Sequence, residues 1–419
     1  MFRNIFYGWR MVAAGCGLQF LQSTLLMQSF GAYFAVLRDD RGWSKTELSF
    51  AAALHQMESA ILGPVIGWVL DRFGPRGVIR TGVLMFGFGF IALGFVDELI
   101  PFYLVFLVVA TGASLAGFFP LNVALIHWFE RNRARALSSM QFGLALGGLA
   151  LPAVAWSLAT FGWRATAIGS GVLVLVVGLP LAQVIRRRPE DMGLQVDGGP
   201  APAPEAIRAA RPDDTRDFTA REALRTSAFW LISLGHGFSL FVVTGVNVHA
   251  ITHMKEGLGY SIEAASLVIV LQTVFQIGGV AIGWWIGDRY RKNMIAASCM
   301  VMHMAGLLCL TYAAFSPVGI VAALVLYAVL HGTAWGLRGP FMQAIRADYF
   351  GRSSIGMILG LSFMILVIGQ VGGPMIAGVM ADATGNYRAG FTVIALLAGL
   401  GSIFFILAKP PARPRRAVP

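Results

Sequence analysis

The sequence predicts an all-α membrane protein of twelve transmembrane helices in two pseudo-symmetric six-helix bundles. Three observations carry that prediction. Apolar residues fill 57% of the 419 positions and charged residues only 13%, whereas a soluble domain is roughly half apolar and about 25% charged. Long stretches, such as Val105 to Phe119, Gly171 to Ile185 and Ile394 to Ala408, hold no Asp, Glu, Lys or Arg. Motifs from the first half of the chain recur in the same order in the second. About twenty apolar residues at 1.5 Å per residue cross the ~30 Å hydrocarbon layer, and a dozen such runs exclude a soluble fold.

The predicted spans begin near Trp9, Lys45, Gly77, Pro101, Arg133, Arg164, Ala228, Ser261, Lys292, Pro317, Arg352 and Tyr387. The first apolar run is longer than a signal-peptide core and is read as a span. Residues 1–185 form the N-terminal bundle and 228–408 the C-terminal bundle; 409–419 are a cytoplasmic tail. Between the bundles, 186–227 is rich in Pro, Ala and charge, with a run from Pro200 to Pro204, and reads as a cytoplasmic linker.

The net charge of +11 is concentrated in alternate loops. With the amino terminus in the cytoplasm, six of the 32 Lys and Arg lie outside (Arg38, Arg41, Lys45, Arg164, Lys255, Arg388). Arg338 falls inside a span, and the other 25 are cytoplasmic. This is the positive-inside bias. It places both termini in the cytoplasm and explains the basicity without a nucleic-acid partner. Cys16, Cys299 and Cys309 sit in apolar runs with no disulfide or metal spacing.

The repeat is explicit. Gly42-Trp43-Ser44 precedes Asp71-Arg72 by 29 residues, and Gly259-Tyr260-Ser261 precedes Asp288-Arg289 by the same 29, with Ser49 and Ser266 in matching places. His127-Trp128-Phe129 with Arg131 echoes Asp348-Tyr349-Phe350 with Arg352, and each is followed by a proline-containing span (Pro152, Pro374). Gly162-Trp163-Arg164-Ala165 echoes Asn386-Tyr387-Arg388-Ala389. Repeats about an axis along the membrane normal predict a midplane substrate site and alternating access. Gly63 and Gly67, Gly143 and Gly147, and Gly279 and Gly283 are spaced for close helix approach.

The stretch Gly67-Trp68-Val69-Leu70-Asp71-Arg72-Phe73-Gly74-Pro75-Arg76 resembles the loop signature of the major facilitator superfamily. The resemblance implies gating at the cytoplasmic boundary by Asp71, Arg72 and Arg76, and by the altered second copy at Asp288 and Arg289. Gly42-Trp43-Ser44, Trp128-Phe129, Gly162-Trp163-Arg164 and Arg188-Pro189-Glu190-Asp191-Met192-Gly193-Leu194 narrow it. Together they resemble the branch of monocarboxylate transporters and oxalate–formate exchangers. That resemblance implies a small carboxylate, often moved with a proton or in exchange, and an anion-holding arginine in span eight. Here span eight offers Gln272 and Gln276 instead, and span eleven Gln370.

Ionisable residues inside spans are expensive and mark function. In span ten His331, Trp335 and Arg338 share one helical face. Arg338 suits a carboxylate, Trp335 an apolar wall, and His331 a hydrogen bond or a proton; alternatively, Arg338 snorkels or pairs internally. In span two Glu58 and His55 are candidates for proton coupling, with a permanent structural partnership as the alternative for Glu58. Asn122, Asn247, Tyr33 and Gln276 complete the candidate substrate contacts. His236, Gln22 and Gln272 are weaker cavity residues, and His127 and His303 read as packing or interface residues. His249 and His253 have a metal-compatible spacing but no third ligand, so no metal or cofactor is expected.

The sequence therefore predicts a monomeric transporter of a small organic anion, a monocarboxylate moved with protons, in a bacterial inner membrane. The alternatives are transport of a neutral or amphipathic molecule, favoured by the missing span-eight arginine, and a transporter-like solute receptor, disfavoured by the short tail. No Walker loop, nucleophile elbow or metalloprotease motif supports an enzyme.

Overall fold

The computed structural model describes residues 5–199 and 216–414. The Pro200 to Pro204 run, Arg415 and Arg416 lie outside the described residues, as do the side chains of Lys45 and Ser49. Helix α1 comprises Tyr7–Gln22, a π turn at Ser23–Met27 and Phe30–Arg41. Then come α2 (Lys45–Phe73), α3 (Pro75–Leu93) and α4, which is Leu99–Ala116 continued by Phe118–Trp128. Helix α5 runs from Arg133–Leu149 on to 161, and α6 from 163 through Leu179–Val184. The second half holds α7 (Ser227–Leu258), α8 (Ile262–Ile286), α9 (Lys292–Thr311), α10 (Ile320–Phe350), α11 (Ile355–Thr384) and α12 (Arg388–Leu407).

Among the described residues nine helical stretches are long and apolar enough to cross a membrane. One of them, Arg133–Val184, contains two spans, because Gly162 breaks it with φ 76° and ψ 166°. Helix α1 is interrupted by its π turn, and α2 carries His55 and Glu58 in its middle. The chain is a multi-pass integral membrane protein. Helices are the natural solution, since hydrocarbon offers backbone amides no partners.

The structure explains the repeated sequence signals as punctuation. Gly42 and Gly259 end α1 and α7 in the left-handed conformation, at φ 69° and 73°, which glycine adopts without strain. Two residues later Ser44 and Ser261 accept from backbone N–H groups in the first turns of α2 and α8. Ser44 forms a full capping box with Glu47. Each glycine–aromatic–serine triplet is thus a stop followed by a start.

The chain divides into two compact units: Met1–Asp213 with Ile355–Gly360, and Asp214–Ser354 with Leu361–Pro419. Helix α11 therefore contributes its first turns to unit 1. Within unit 1, α3 packs on α4 and α6; within unit 2, α9 packs correspondingly on α10 and α12. The α3–α4 contact is made through glycines: a Cβ on Gly112 would collide with the Phe86 backbone, and one on Gly82 would lie 2.5 Å from Ala116 N. Large apolar side chains such as Phe88, Phe95, Val321 and Ile368 stay exposed, as expected of lipid-facing surface.

The two ends of the predicted linker are ordered. Asp197 accepts backbone N–H bonds from Glu130 (3.1 Å), Arg131 (2.7 Å) and Asn132 (3.2 Å), just before α5. It does so with φ 60°, a positive value found at no other non-glycine among the described residues, so the local strain supports a cap. In unit 2, Asp217 accepts from Arg352 N (2.8 Å) and Ser353 N (3.1 Å), just before α11. Burial raises the Asp217 carboxyl, but these donors outweigh it and leave the group below its ordinary range. Its contribution to stability is therefore present above the unfolded carboxylate pKa of about 3.9 and is lost as pH falls through the lower folded value. Asp197→Ala and Asp217→Ala should each cost about 0.5–2 kcal/mol. Each should lower the melting temperature of the purified protein at neutral pH, and for Asp217→Ala the difference from wild type should shrink in strong acid.

Candidate functional site

Helix α10 gathers the buried polar groups of unit 2, and its glycines explain how. A Cβ on Gly332 would collide with the Gln272 carbonyl oxygen and one on Gly336 with that of Gln276, so α8 and α10 touch backbone to backbone. This contact brings the Tyr327 hydroxyl to the Gln272 side-chain oxygen, to which it donates. Tyr327 stacks on His331 with centroids 5.5 Å apart. His331 Nδ1 in turn lies 3.1 Å from Nδ1 of His303 on α9. Trp335, one turn along, meets the His331 ring edge-on at 6.1 Å.

Arg338 follows on the same helix and is 4% exposed. Its Nη1 donates to Ser239 Oγ at 2.7 Å and sits 4.0 Å from Met342 Sδ, while its Nε has no partner among the described residues. Two turns on, Arg346 is also buried; it donates to the Met342 carbonyl and to Ser362 Oγ, both at 2.7 Å. Ser362 Oγ is 2.8 Å from Ser233 Oγ on α7. The sequence reading counts Arg346 among the cytoplasmic arginines, and the structure corrects this. α10 remains helical to Phe350, so position 346 still lies inside the packed bundle. His236 is buried on α7 beside Ser239, which donates to its carbonyl at 2.6 Å.

In unit 1 the notable side chain is Glu58, buried on α2. One carboxylate oxygen accepts from Ser59 Oγ and Ser114 Oγ, each at 3.1 Å, and the other has no partner among the described residues. His55 is half-buried, with its ring 6.5 Å from that of Phe106. Tyr33 lines an apolar cleft with Phe30, Phe90 and Phe106. Asn122 is buried and donates to the Phe118 carbonyl at 2.8 Å, within its own helix. Gln276 is half-buried on α8, and Asn247 is exposed on α7. His249 and His253 each place Nε2 3.1 Å from a backbone carbonyl, of Pro374 and Leu310.

The two loop signatures differ in what they hold. The Asp71 carboxylate accepts from Gly356 N and Met357 N, both at 2.8 Å, and so caps the first turn of α11 inside unit 1. A Cβ on Gly67 would collide with the Gly356 carbonyl, which accounts for the glycine one turn before the aspartate. Arg72 lies over the Trp68 ring, 5.7 Å from its centroid, and Arg76 is half-buried. In unit 2, Asp288 pairs with Lys292 at 2.8 Å, and Lys292 also reaches Asp348 at 2.7 Å; Arg289 lies 6.0 Å from the Trp285 ring.

The structure thus brings His331, Trp335 and Arg338 together on α10, as the sequence predicts, and adds Ser239, His236, His303 and Arg346. His303 was read as a packing or interface residue. The available signal was its position as an ionisable group in the otherwise uncharged run from 294 to 311, one turn from Cys299.

The family description "Major Facilitator Superfamily" matches residues 16–338 and 250–419, and the chain belongs to that superfamily. It is similar to monocarboxylate transporter 13 of Bos taurus, with 28% identity over 98% of this chain and 93% of the relative. It is also similar to the glycerol-3-phosphate transporter of Bacillus subtilis (24%; 91% and 88%) and to human monocarboxylate transporter 11 (25%; 96% and 82%). Among solved structures, the proton:xylose symporter XylE superposes with a TM-score of 0.71 at 16% identity over 96% of each chain. The E. coli fucose:proton symporter FucP gives 0.68 at 14%, over 95% and 98%. These establish the major facilitator fold. The homologues are transporters, and the chain is not an enzyme. Asp71→Asn removes the negative charge at the start of α11 and should cost about 0.3–1 kcal/mol, read as a lower melting temperature of the purified protein.

Proposed function

We propose that this protein is a secondary active transporter that moves a small organic anion, a monocarboxylate, by alternating access and with proton coupling. The observation that supports it best is Arg338. A guanidinium in a low-dielectric interior, with a hydroxyl and a thioether beside it and no carboxylate partner among the described residues, is an uncompensated charge. A carboxylate supplies both the missing charge and parallel hydrogen bonds. Trp335 walls the apolar end of the solute. His331, Gln276, Asn122, Asn247 and Tyr33 are the further proposed contacts. The anion class accords with relatives named for monocarboxylates and for glycerol-3-phosphate, all anions at neutral pH.

Glu58, with one carboxylate oxygen unpartnered, is proposed to bind and release a coupling proton with His55 nearby. Asp71, Arg72, Arg76, Asp288 and Arg289 are proposed as the gating groups that bias the conformational equilibrium. The charge distribution supports both termini in the cytoplasm, and a monomer in a bacterial inner membrane is proposed with it. A second reading, a neutral or amphipathic solute, is favoured by one observation: Gln272 is hydrogen-bonded to Tyr327 where the resemblance implies an arginine.

Uptake of labelled lactate, pyruvate and formate into proteoliposomes, with and without an inward proton gradient, tests the proposal. Arg338→Gln should weaken apparent affinity about 10- to 100-fold, the value of a hydrogen bond to a charged group. Glu58→Gln should abolish gradient-driven accumulation while leaving exchange across the membrane. Folded wild-type protein that takes up neutral amphipathic compounds and none of the acids would replace the first reading by the second.

A further inference from the structure

We propose that His303 and His331 form a one-proton site linked to anion binding at Arg338, so that an anion arriving at the guanidinium draws a proton into the pair. The inference rests on the anion reading of Arg338 and assigns the proton taken up on binding to unit 2, separately from Glu58.

The geometry of the pair limits its proton content. The two Nδ1 atoms are 3.1 Å apart, within hydrogen-bonding range. A neutral imidazole carries one N–H. One ring must therefore donate through Nδ1 and keep a bare, basic Nε2; the other accepts at Nδ1 and carries its hydrogen on Nε2. Both residues are fully buried, and neither Nε2 has a partner among the described residues. A proton added to the bare Nε2 leaves the hydrogen bond between the rings intact and makes it charge-assisted. A second added proton would place hydrogens on both facing Nδ1 atoms and break the bond. The pair therefore accepts one proton and resists another.

The surroundings supply the linkage. On α10 the pair meets Tyr327, stacked on His331, and Arg338 further along. On α9 Cys299 lies one turn from His303; on α7 His236 is buried beside Ser239, the partner of Arg338, and His253 meets the Leu310 carbonyl of α9. Helix α8 has no ionisable residue over 264–286 and directs Gln272 to Tyr327; α12 has none over 389–407. Arg338 lies seven residues, about 10 Å of helix rise, along α10 from His331, with no ionisable residue between them. While the Arg338 charge is bare, an imidazolium in the pair is repelled within a low-dielectric core. A carboxylate on Arg338 cancels the repulsion. By linkage, the protonated pair then raises anion affinity by the same factor.

The test measures proton uptake on binding, without transport. Lactate is added to purified full-length protein in weakly buffered detergent solution containing a pH indicator. Wild type and Glu58→Gln should each take up one proton per lactate bound at mildly acidic pH. In His303→Gln the lactate should still bind while the uptake is lost. Uptake abolished by Glu58→Gln and retained in full by His303→Gln would overturn the proposal. A second arm needs no ligand: the pair is titrated through its histidine ¹⁵N resonances in wild type and Arg338→Gln. The pair should protonate more readily once the guanidinium is gone, and an unmoved titration would overturn the linkage. Wild-type protein that binds none of the acids would refute the anion reading instead, leaving this titration to judge the pair by itself.

Discussion

A guanidinium buried without a counter-charge is the constraint on which the second bundle depends. Moving a charge out of water costs several kcal/mol unless hydrogen bonds and an opposite charge replace the solvent. Among the described residues Arg338 has one strong side-chain partner, Ser239, and Arg346 has a carbonyl and a serine. The scaffold around them is correspondingly tight. Glycines on α10 let α8 approach to backbone contact, and α9 brings His303 against His331. A loosely packed bundle would admit water and remove the electrostatic reason for binding an anion there. Close packing keeps the local dielectric low, the condition under which the proposed site would discriminate by charge.

The first bundle meets the same solvent constraint differently. Its helices carry breaks, and each break has an internal remedy. At Gly117 helix α4 departs from helical geometry; Gln22 of α1 donates to the Ala113 carbonyl at 3.2 Å, and Asn122 to that of Phe118. Along the π turn of α1, Ser23 donates to Leu144 O at 2.8 Å and Thr24 to Gly147 O at 3.1 Å. Polar side chains in this half thus mostly serve the backbone. Glu58 is the exception, because its two serine donors reach one oxygen and the other has no partner among the described residues. An isolated carboxyl with spare acceptor capacity in such a setting is suited to carrying a proton.

The helices, their order and the face of α10 were legible because they depend on local composition and on a 3.6-residue period. The predicted start at Lys45 coincides with α2, and His331, Trp335 and Arg338 share the face their spacing requires. What was not legible depends on partners distant in sequence. Nothing near Asp197 announces that it caps the loop before α5, 65 residues earlier. Nothing near Asp217 points to Ser353, 136 residues later. The composition of 186–227 correctly indicates little apolar burial, but a single carboxylate accepting several N–H bonds orders a loop without any. His303 packs between helices as its apolar run predicts, but that its partner is the ring of His331, 28 residues on, cannot be read from its own surroundings. Arg346 was misplaced because charge alone marks a loop only when the helix has ended.

Repeat symmetry gives a last step of argument. The glycine–serine punctuation sets α2 and α8 in register at an offset of 217, and the aromatic pairs at Trp128 and Tyr349 set α4 and α10 at 221. In that register the counterpart of Glu58 is Phe275, and the counterpart of Arg338 is Gly117. The counterpart of Ser114, which donates to Glu58, is Trp335. The repeated elements are thus those that start, stop and pack helices, while the buried charges are not repeated. A duplicated scaffold would first have carried the same groups in both halves. Here the carboxyl belongs to one bundle and the guanidinium to the other, at positions that do not correspond. Structural demands act on both copies alike and would tend to preserve matched residues. An asymmetric distribution of costly ionisable groups on a symmetric frame is instead what the proposed chemistry would require, because a proton and an anion call for opposite charges.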